Sequence, residues 1–119
     1  MSMDWKRLYL YLKEHGYDVY SMGQHKGKCT APYIVLCNNG STRTGVIEYS
    51  LYELLLYYPT AEYSNFESYI DGIEKALNPL FPTLKLTDGP GVHYLDTDIN
   101  AYMTSLTYQV QKFSATNRV

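Results

Sequence analysis

The sequence lacks any apolar run long enough to cross a membrane. Its first residues, Met1 to Lys6, carry Asp4 and Trp5 where a secretory signal has a basic region followed by an apolar core. It has only two cysteines, Cys29 and Cys37, and they are not in C-x-x-C spacing. We therefore expect an intracellular protein with no membrane partner and with reduced, structural thiols, a disulfide between them being the alternative.

Positive charge is also scarce. The chain has 10 Lys and Arg against 12 Asp and Glu, a net charge of -2, and its pI is about 5.8. A protein that grips nucleic acid through its phosphates needs a basic stripe, and Lys26 and Lys28 are too few to make one. The composition therefore argues against a dedicated nucleic-acid-binding protein.

The stretch "GQHKGKC" resembles a phosphate-binding loop but departs from it in three ways. Three residues, rather than four, separate Gly23 from Gly27, and Cys29 stands where a Mg²⁺-binding hydroxyl is needed. The strand-like run "YIVL" follows, where a phosphate site needs the N-terminus of a helix. We expect a polar loop over Gly23 to Ala31 with no affinity for nucleotides.

Signatures of metal binding and catalysis are missing as well. The three histidines have no zinc-ligand spacing, no G-x-S-x-G occurs, and Glu48 and Glu53 fall on opposite faces of one strand. In "DTDIN", Asp96 and Asp98 start a calcium-loop pattern that lacks the required Gly and Glu, so a turn is the simpler interpretation. The sequence predicts no enzyme, cofactor or metal, and a small enzyme with a site assembled in space is the weakest alternative.

What the sequence does contain is typical of one ordinary globular domain. It has 119 residues, 45% of them hydrophobic and 18% charged, which is enough to form a core without metal or disulfides. Tyrosine is unusually frequent, with 14 residues. Because tyrosine suits both strands and protein interfaces, its abundance leaves two interpretations open.

Periodicity predicts two helices. In the first, capped by Ser2 and ended by Gly16, one apolar stripe is formed by Trp5, Leu8, Tyr9 and Leu12. In the second, Ser64 and Glu67 have the spacing of a capping box. Its apolar side consists of Phe66, Ile70, Ile73 and Leu77, and Asn78-Pro79 closes it.

Strand patterns fill the rest of the chain. We expect a short strand from about Tyr17, the strand "PYIVLCN", and an exposed hairpin connection over "NNGSTRTG" with its tight turn at Asn39-Gly40. A long strand follows to Pro59, in which Ile47, Tyr49 and Leu51 form the dry face opposite Glu48 and Ser50. From Leu54 to Tyr58 the alternation stops, which predicts cover on both faces, a helical turn being the alternative. After the second helix come a strand in "LFPTLKLTDGPG" and a final strand within residues 94–113.

The predicted order is α-β-β-β-α-β-β. This indicates one α+β domain over residues 1–119, with residues 1–3 and 114–119 frayed. The sheet is expected to be mainly antiparallel, with four to five strands, because its links are short hairpins. Two helices cover one of its faces, so the other face needs a partner.

Over about residues 4 to 113 the chain resembles the tail-terminator or tail-completion proteins of long-tailed bacteriophages and prophages. The resemblance lies in Val19-Tyr20, the segment "PYIVL" (residues 32–36), "YELLLYYP" closed by Pro59, the capped second helix and the strand "INAYMTSLTY". It implies a small structural subunit, with no catalysis or cofactor, that forms a hexameric ring. That ring would cap the tail tube and dock to the head connector, in the host cytoplasm during assembly and then at the head–tail junction of the virion.

Several features agree with such a role. The uncovered sheet face and the tyrosines call for a protein partner, and an acidic chain suits a channel through which DNA passes as cargo. The expected interface residues are Leu54, Leu56, Tyr57 and Tyr58 in the long strand together with Lys26, Lys28 and Arg43 in the polar loops. The alternative is an intracellular adaptor or immunity-type protein that binds one target through a tyrosine-rich sheet face.

Overall fold

The structure, a computed structural model, describes residues 3–25, 27–60 and 63–113, with side chains as far as residue 111. In chain order its elements are α1 (Trp5–Glu14), β1 (Val19–Tyr20), β2 (Tyr33–Thr44), β3 (Ile47–Pro59), α2 (Tyr63–Leu77), a 3-10 turn (Asn78–Leu80), β4 (Leu84–Asp88), β5 (Tyr94–Asp96) and β6 (Ala101–Phe113). The predicted α+β class is confirmed, with two helices and one sheet.

The sheet has six strands in the order β1-β2-β3-β6-β4, and β5 pairs with the start of β6. All pairs are antiparallel except β1 with β2, which is parallel. The sheet has more strands than the four to five predicted, because β5 is a three-residue strand that periodicity does not reveal. The strand expected from Tyr17 is only the two-residue β1.

The core lies between the helices and one face of the sheet, the helix-covered face. Residues directly opposite each other on neighbouring strands share a face, so Leu36, Leu54 and Leu106 form one row across β2, β3 and β6. All three are almost completely buried. The predicted stripe of α2 is buried as well, whereas in the predicted stripe of α1 Leu8 and Leu12 are buried and Trp5 and Tyr9 only partly so. The stripe residues that are buried in the core cluster are Leu8, Leu12, Phe66, Ile70, Ile73 and Leu77.

The first half of β3 is turned the other way from the prediction. Ser50 lies on the helix-covered face and is buried, and its Oγ is 3.0 Å from Oγ of Ser41 on β2. Ile47, Tyr49 and Leu51 are only partly buried. The shared hydroxyl bond allows a buried polar residue here, which the alternation of apolar residues could not show.

Both predicted helix starts needed correction. Asp4, rather than Ser2, caps α1, because Asp4 Oδ1 accepts a bond of 2.9 Å from the Arg7 N–H. Ser64 lies inside the first turn of α2, and its carbonyl accepts from the Ser68 hydroxyl. Met3, expected to fray, is buried in the core cluster, while Ser2 and residues 114–119 lie outside the described residues.

The hairpin between β2 and β3 is longer than predicted. The turn expected at Asn39-Gly40 is instead an irregularity within β2, and pairing resumes from Ser41 with Ser50 to Thr44 with Ile47. The chain reverses at Gly45, whose φ of 62° favours glycine. Residues 38–50 form what we call the hairpin arm, with residues 38–46 exposed. The arm contributes to an elongated molecule of 54 × 26 × 26 Å.

The outer edge of β2 beyond β1 is partly capped. The Trp5 indole Nε1–H donates to the Leu36 carbonyl at 2.9 Å, and the Asn38 side chain accepts from the Gly40 N–H at 2.8 Å. The unpaired N–H and C=O groups of an edge strand can pair with a strand of any other chain. These bonds therefore limit strand addition at the base of the arm.

Candidate assembly surface

The open face is the surface of the sheet opposite the helices. Its central row consists of Val35, Leu55 and Ser105, side by side on β2, β3 and β6. A second row contains Cys37, Glu53 and Thr107. Other half-buried residues that alternate onto this face in β3 and β6 include Ile47, Tyr49, Leu51, Tyr57, Met103 and Gln109. The surface therefore mixes apolar side chains with small polar ones, as protein interfaces do.

The chain itself covers one end of the open face. The segment before β2 crosses it there, and the Cys29 N–H donates to the Ile99 carbonyl at 2.7 Å. His25 from this segment stacks on Tyr33 with 3.7 Å between ring centroids, and Tyr57 stacks on the other side of Tyr33 at 4.7 Å. The segment leads directly into β2 rather than into a helix, as its sequence predicted.

The stack changes the chemistry of Tyr33. Burial, more than the neighbouring Cys29 and Tyr57, raises the pKa of Tyr33 from its usual 10.0 to about 12. Burial also raises the pKa of the Cys29 thiol. These groups are held in their neutral forms at neutral pH, which suits a packed end of the face and not a nucleophilic site.

Polar groups at the other end of the open face are engaged with one another. Asn39 Nδ2 donates to Glu53 Oε1 at 3.3 Å. Beside Glu53, Cys37 is buried, and burial first and the Glu53 charge second raise the pKa of its thiol. Both cysteines are free thiols in the structure.

Two of the predicted interface residues belong to the core. Leu54 and Leu56 lie on the helix-covered face with no exposed surface, so a folded subunit cannot offer them to a partner. Tyr58 lies on the same face, where its ring packs against Phe66 and Tyr69. The segment is a strand and not a helical turn, so neighbouring residues point to opposite faces.

The other predicted interface residues are spread over the molecule. Tyr57 is on the open face in the aromatic stack. Lys28 is exposed, with its Nζ 3.5 Å from the Asp98 carbonyl that accepts from it. Arg43 lies near the end of the hairpin arm, where its Nη2 is 3.4 Å from Glu48 Oε1. Lys26 lies outside the described residues.

The tyrosines do not form one recognition surface. Eight of the fourteen belong to the main core cluster or pack against it, namely Tyr9, Tyr11, Tyr17, Tyr52, Tyr58, Tyr69, Tyr102 and Tyr108. Some also tie elements together; the Tyr11 hydroxyl donates to the Ala76 carbonyl of α2 at 2.6 Å. The abundance of tyrosine is therefore mostly explained by the fold itself.

The acidic turn before β6 is the turn predicted from its sequence. Asp96 Oδ1 accepts from the Asp98 N–H at 3.0 Å, a local side-chain-to-backbone bond. In the described part of the chain, no group of three or more His, Cys, Asp or Glu is placed to hold a metal ion. Neither described helix has the length and apolar character needed to span a membrane.

The residues that sequence reasoning missed on the open face are Val35, Leu51 and Met103, and it left open whether Leu54 or Leu55 is the exposed one. Alternation of side chains was enough to group Leu55 with Leu51, but it did not show which group the helices cover. The helices select the face that carries Leu54 and Leu56 because their leucine, isoleucine and phenylalanine stripes need the larger apolar surface. A comparison with protein-family models and a search of curated proteins each found no match.

Proposed function

We propose that this chain is a structural assembly subunit, a tail-terminator or head–tail joining protein that forms a ring on a phage tail tube. The observation that carries the proposal is the open face: Val35, Leu51 and Leu55 are apolar and half-buried there, and neither helix covers them. Burying two or three such side chains against another chain would contribute roughly 1.5 to 3 kcal/mol each before ordering costs.

The proposed partners are other copies of this chain, the tail-tube protein and the head connector, with DNA only as cargo. The mixed composition of the open face supports a subunit that folds alone and then assembles, because Ser105, Thr107 and Gln109 keep the face wetted in the free chain. A ring built from one repeated contact needs two different surfaces on each copy. The open face and the hairpin arm are two such surfaces.

The test uses two neighbouring leucines. Leu55→Glu places a charge on the open face and is expected to leave the subunit folded by circular dichroism but unable to cap tail tubes in electron micrographs. Leu56→Glu buries the same charge under the helices and is expected to prevent folding. Wild-type protein should shorten and cap tubes grown from the tube protein of the same genome.

Two results would count against the proposal. If Leu55→Glu caps tubes as well as wild type does, the open face is not the assembly surface. If wild-type protein neither forms rings nor alters tube length, the chain is not a tail terminator, and a monomer that binds some other protein becomes the better interpretation.

A further inference from the structure

A groove runs along the side of α2 that faces β4 and the loop after β4. It consists of two adjoining cavities of about 260 and 200 Å³ that share Asp71 and Glu74. The first cavity is lined by apolar side chains from α2, β4 and β6, which are Leu77, Leu84, Leu86 and Tyr108. Phe81 stands at this cavity with 62% of its surface exposed, so apolar surface remains uncovered here.

The rim of the groove is acidic. Glu67, Asp71 and Glu74 follow each other along α2 and border the two cavities. Lys75 pairs with Asp71 at 3.0 Å and His93 borders the second cavity, so carboxylates outnumber the lysine by three to one. An apolar floor with an acidic rim fits an occupant that offers an apolar tip and a cation.

The hairpin arm has both features. Its charged side chains are Arg43, which is 49% exposed, and its ion-pair partner Glu48, which is only 20% exposed. Val46, in the turn at the end of the arm, is 50% exposed. An apolar residue and an arginine thus stand at the tip of a polar, projecting hairpin.

The arm cannot fold back into the groove of its own chain. Ile47 pairs with Thr44 on one side and with Phe113 on the other, so the arm is held straight as part of a three-stranded sheet. The groove lies beside β4, at the opposite side of the sheet from β2. An occupant with the chemistry of the arm must therefore come from a second copy.

We propose that the arm tip of one copy docks into the α2–β4 groove of the next, with Val46 over the apolar floor and Arg43 beside Asp71 and Glu74. The inference rests on the proposed function, since it describes how ring subunits join. A contact between two different surfaces repeats head to tail, and such a contact closes into a ring when its rotation allows. On docking, Arg43 leaves Glu48 or contacts Glu48 and the groove carboxylates together. Its ion pair with Glu48 is on the surface and contributes little to stability, so giving it up costs little.

The test is a charge swap between two variants, with assembly measured by light scattering. Arg43→Glu gives an acidic arm facing an acidic groove, and Glu74→Lys gives a basic arm facing a basic groove position. Each variant alone is expected to lose assembly at concentrations where wild type assembles. An equimolar mixture is expected to regain it, because each arm then meets a groove of opposite charge. Lys6→Glu, on exposed α1, is the control for a charge reversal elsewhere and is expected to assemble.

The mixture also controls for local damage. Arg43→Glu sets two acids opposite each other within the arm, and an arm disordered for that reason would not be rescued by a second variant. Assembly of either single variant at the wild-type level overturns the arm–groove contact while leaving the proposed function standing. Failure of the mixture to assemble where wild type does, or of wild type to assemble both alone and with tail-tube protein, overturns the contact as well. If wild type and the mixture form rings, neither variant alone does, and the rings do not cap tubes, the contact is supported and the tail-terminator function is contradicted.

Discussion

Tyr33 shows how single residues at the covered end of the open face are held in place. Its ring lies between His25 and Tyr57, and Tyr20 meets its edge at a centroid distance of 5.7 Å. The His25 ring fixes the segment before β2 onto the sheet, although the sequence suggested only a polar loop. No periodic pattern connects a loop histidine with a strand tyrosine, so this contact could not be predicted.

The raised pKa of Tyr33 predicts a loss of stability in alkali. The folded state binds the phenolic proton more tightly than the unfolded state, so this contribution to the free energy of unfolding is complete below about pH 10 and is lost as the pH rises to about 12. Tyr33→Phe removes the titrating group and keeps the ring. We expect its free energy of unfolding, measured in urea, to fall less steeply than that of wild type between pH 10 and 12. Equal slopes would show that Tyr33 is not protected in the folded chain.

At the scale of elements, β3 is the strand that supplies side chains to both the helix-covered face and the open face. It is central in the sheet, pairing with β6 over its whole length and with β2 from Ile47 to Tyr57, apart from one irregularity. Its even-numbered residues from Ser50 to Leu56 are buried beneath the helices, and its odd-numbered ones lie on the open face. The run of five apolar residues at Leu54 to Tyr58 therefore reflects a core on one side and a partly covered face on the other.

Adjacent substitutions in β3 should separate these two faces. Leu56→Ala leaves a cavity under the helices and is expected to lower the free energy of unfolding by about 2 to 5 kcal/mol. Leu55→Ala removes a half-buried side chain from the open face, where the expected loss is about 1 kcal/mol. Urea unfolding followed by circular dichroism measures both. Equal losses would mean that something within this chain also covers Leu55.

The sequence was sufficient for the helix stripes, for the run of β3 to Pro59 and for a final strand within residues 94–113. All depend on local periodicity, which is read directly from residues such as Phe66, Ile70 and Ile73. It was misleading at Asn39-Gly40, where a turn dipeptide sits in a strand irregularity because pairing continues beyond it. It could not decide between Leu54 and Leu55 as the exposed residue, because that depends on where the helices pack.

At the scale of the whole molecule, the surfaces on different sides of the sheet are unlike one another. One sheet face carries both helices, the other is open over most of its length, and the arm projects from the end away from the aromatic stack. The acidic groove lies at the β4 side of the sheet, the side away from β2. Such separation of unlike surfaces suits repeated head-to-tail contacts more than a two-fold dimer, which uses the same patch on both copies.

The most direct measurement is the native mass of the wild-type protein, alone and with tail-tube protein, beside that of Leu55→Glu. The subunit mass is 13.7 kDa. Our account predicts that wild type forms a closed ring whose mass is a fixed whole-number multiple of that value, either alone or on meeting the tube. The folded Leu55→Glu variant should stay at the mass of one subunit under both conditions. A wild-type protein that remains a single subunit in the presence of tube protein, or a variant that assembles as wild type does, would contradict the account.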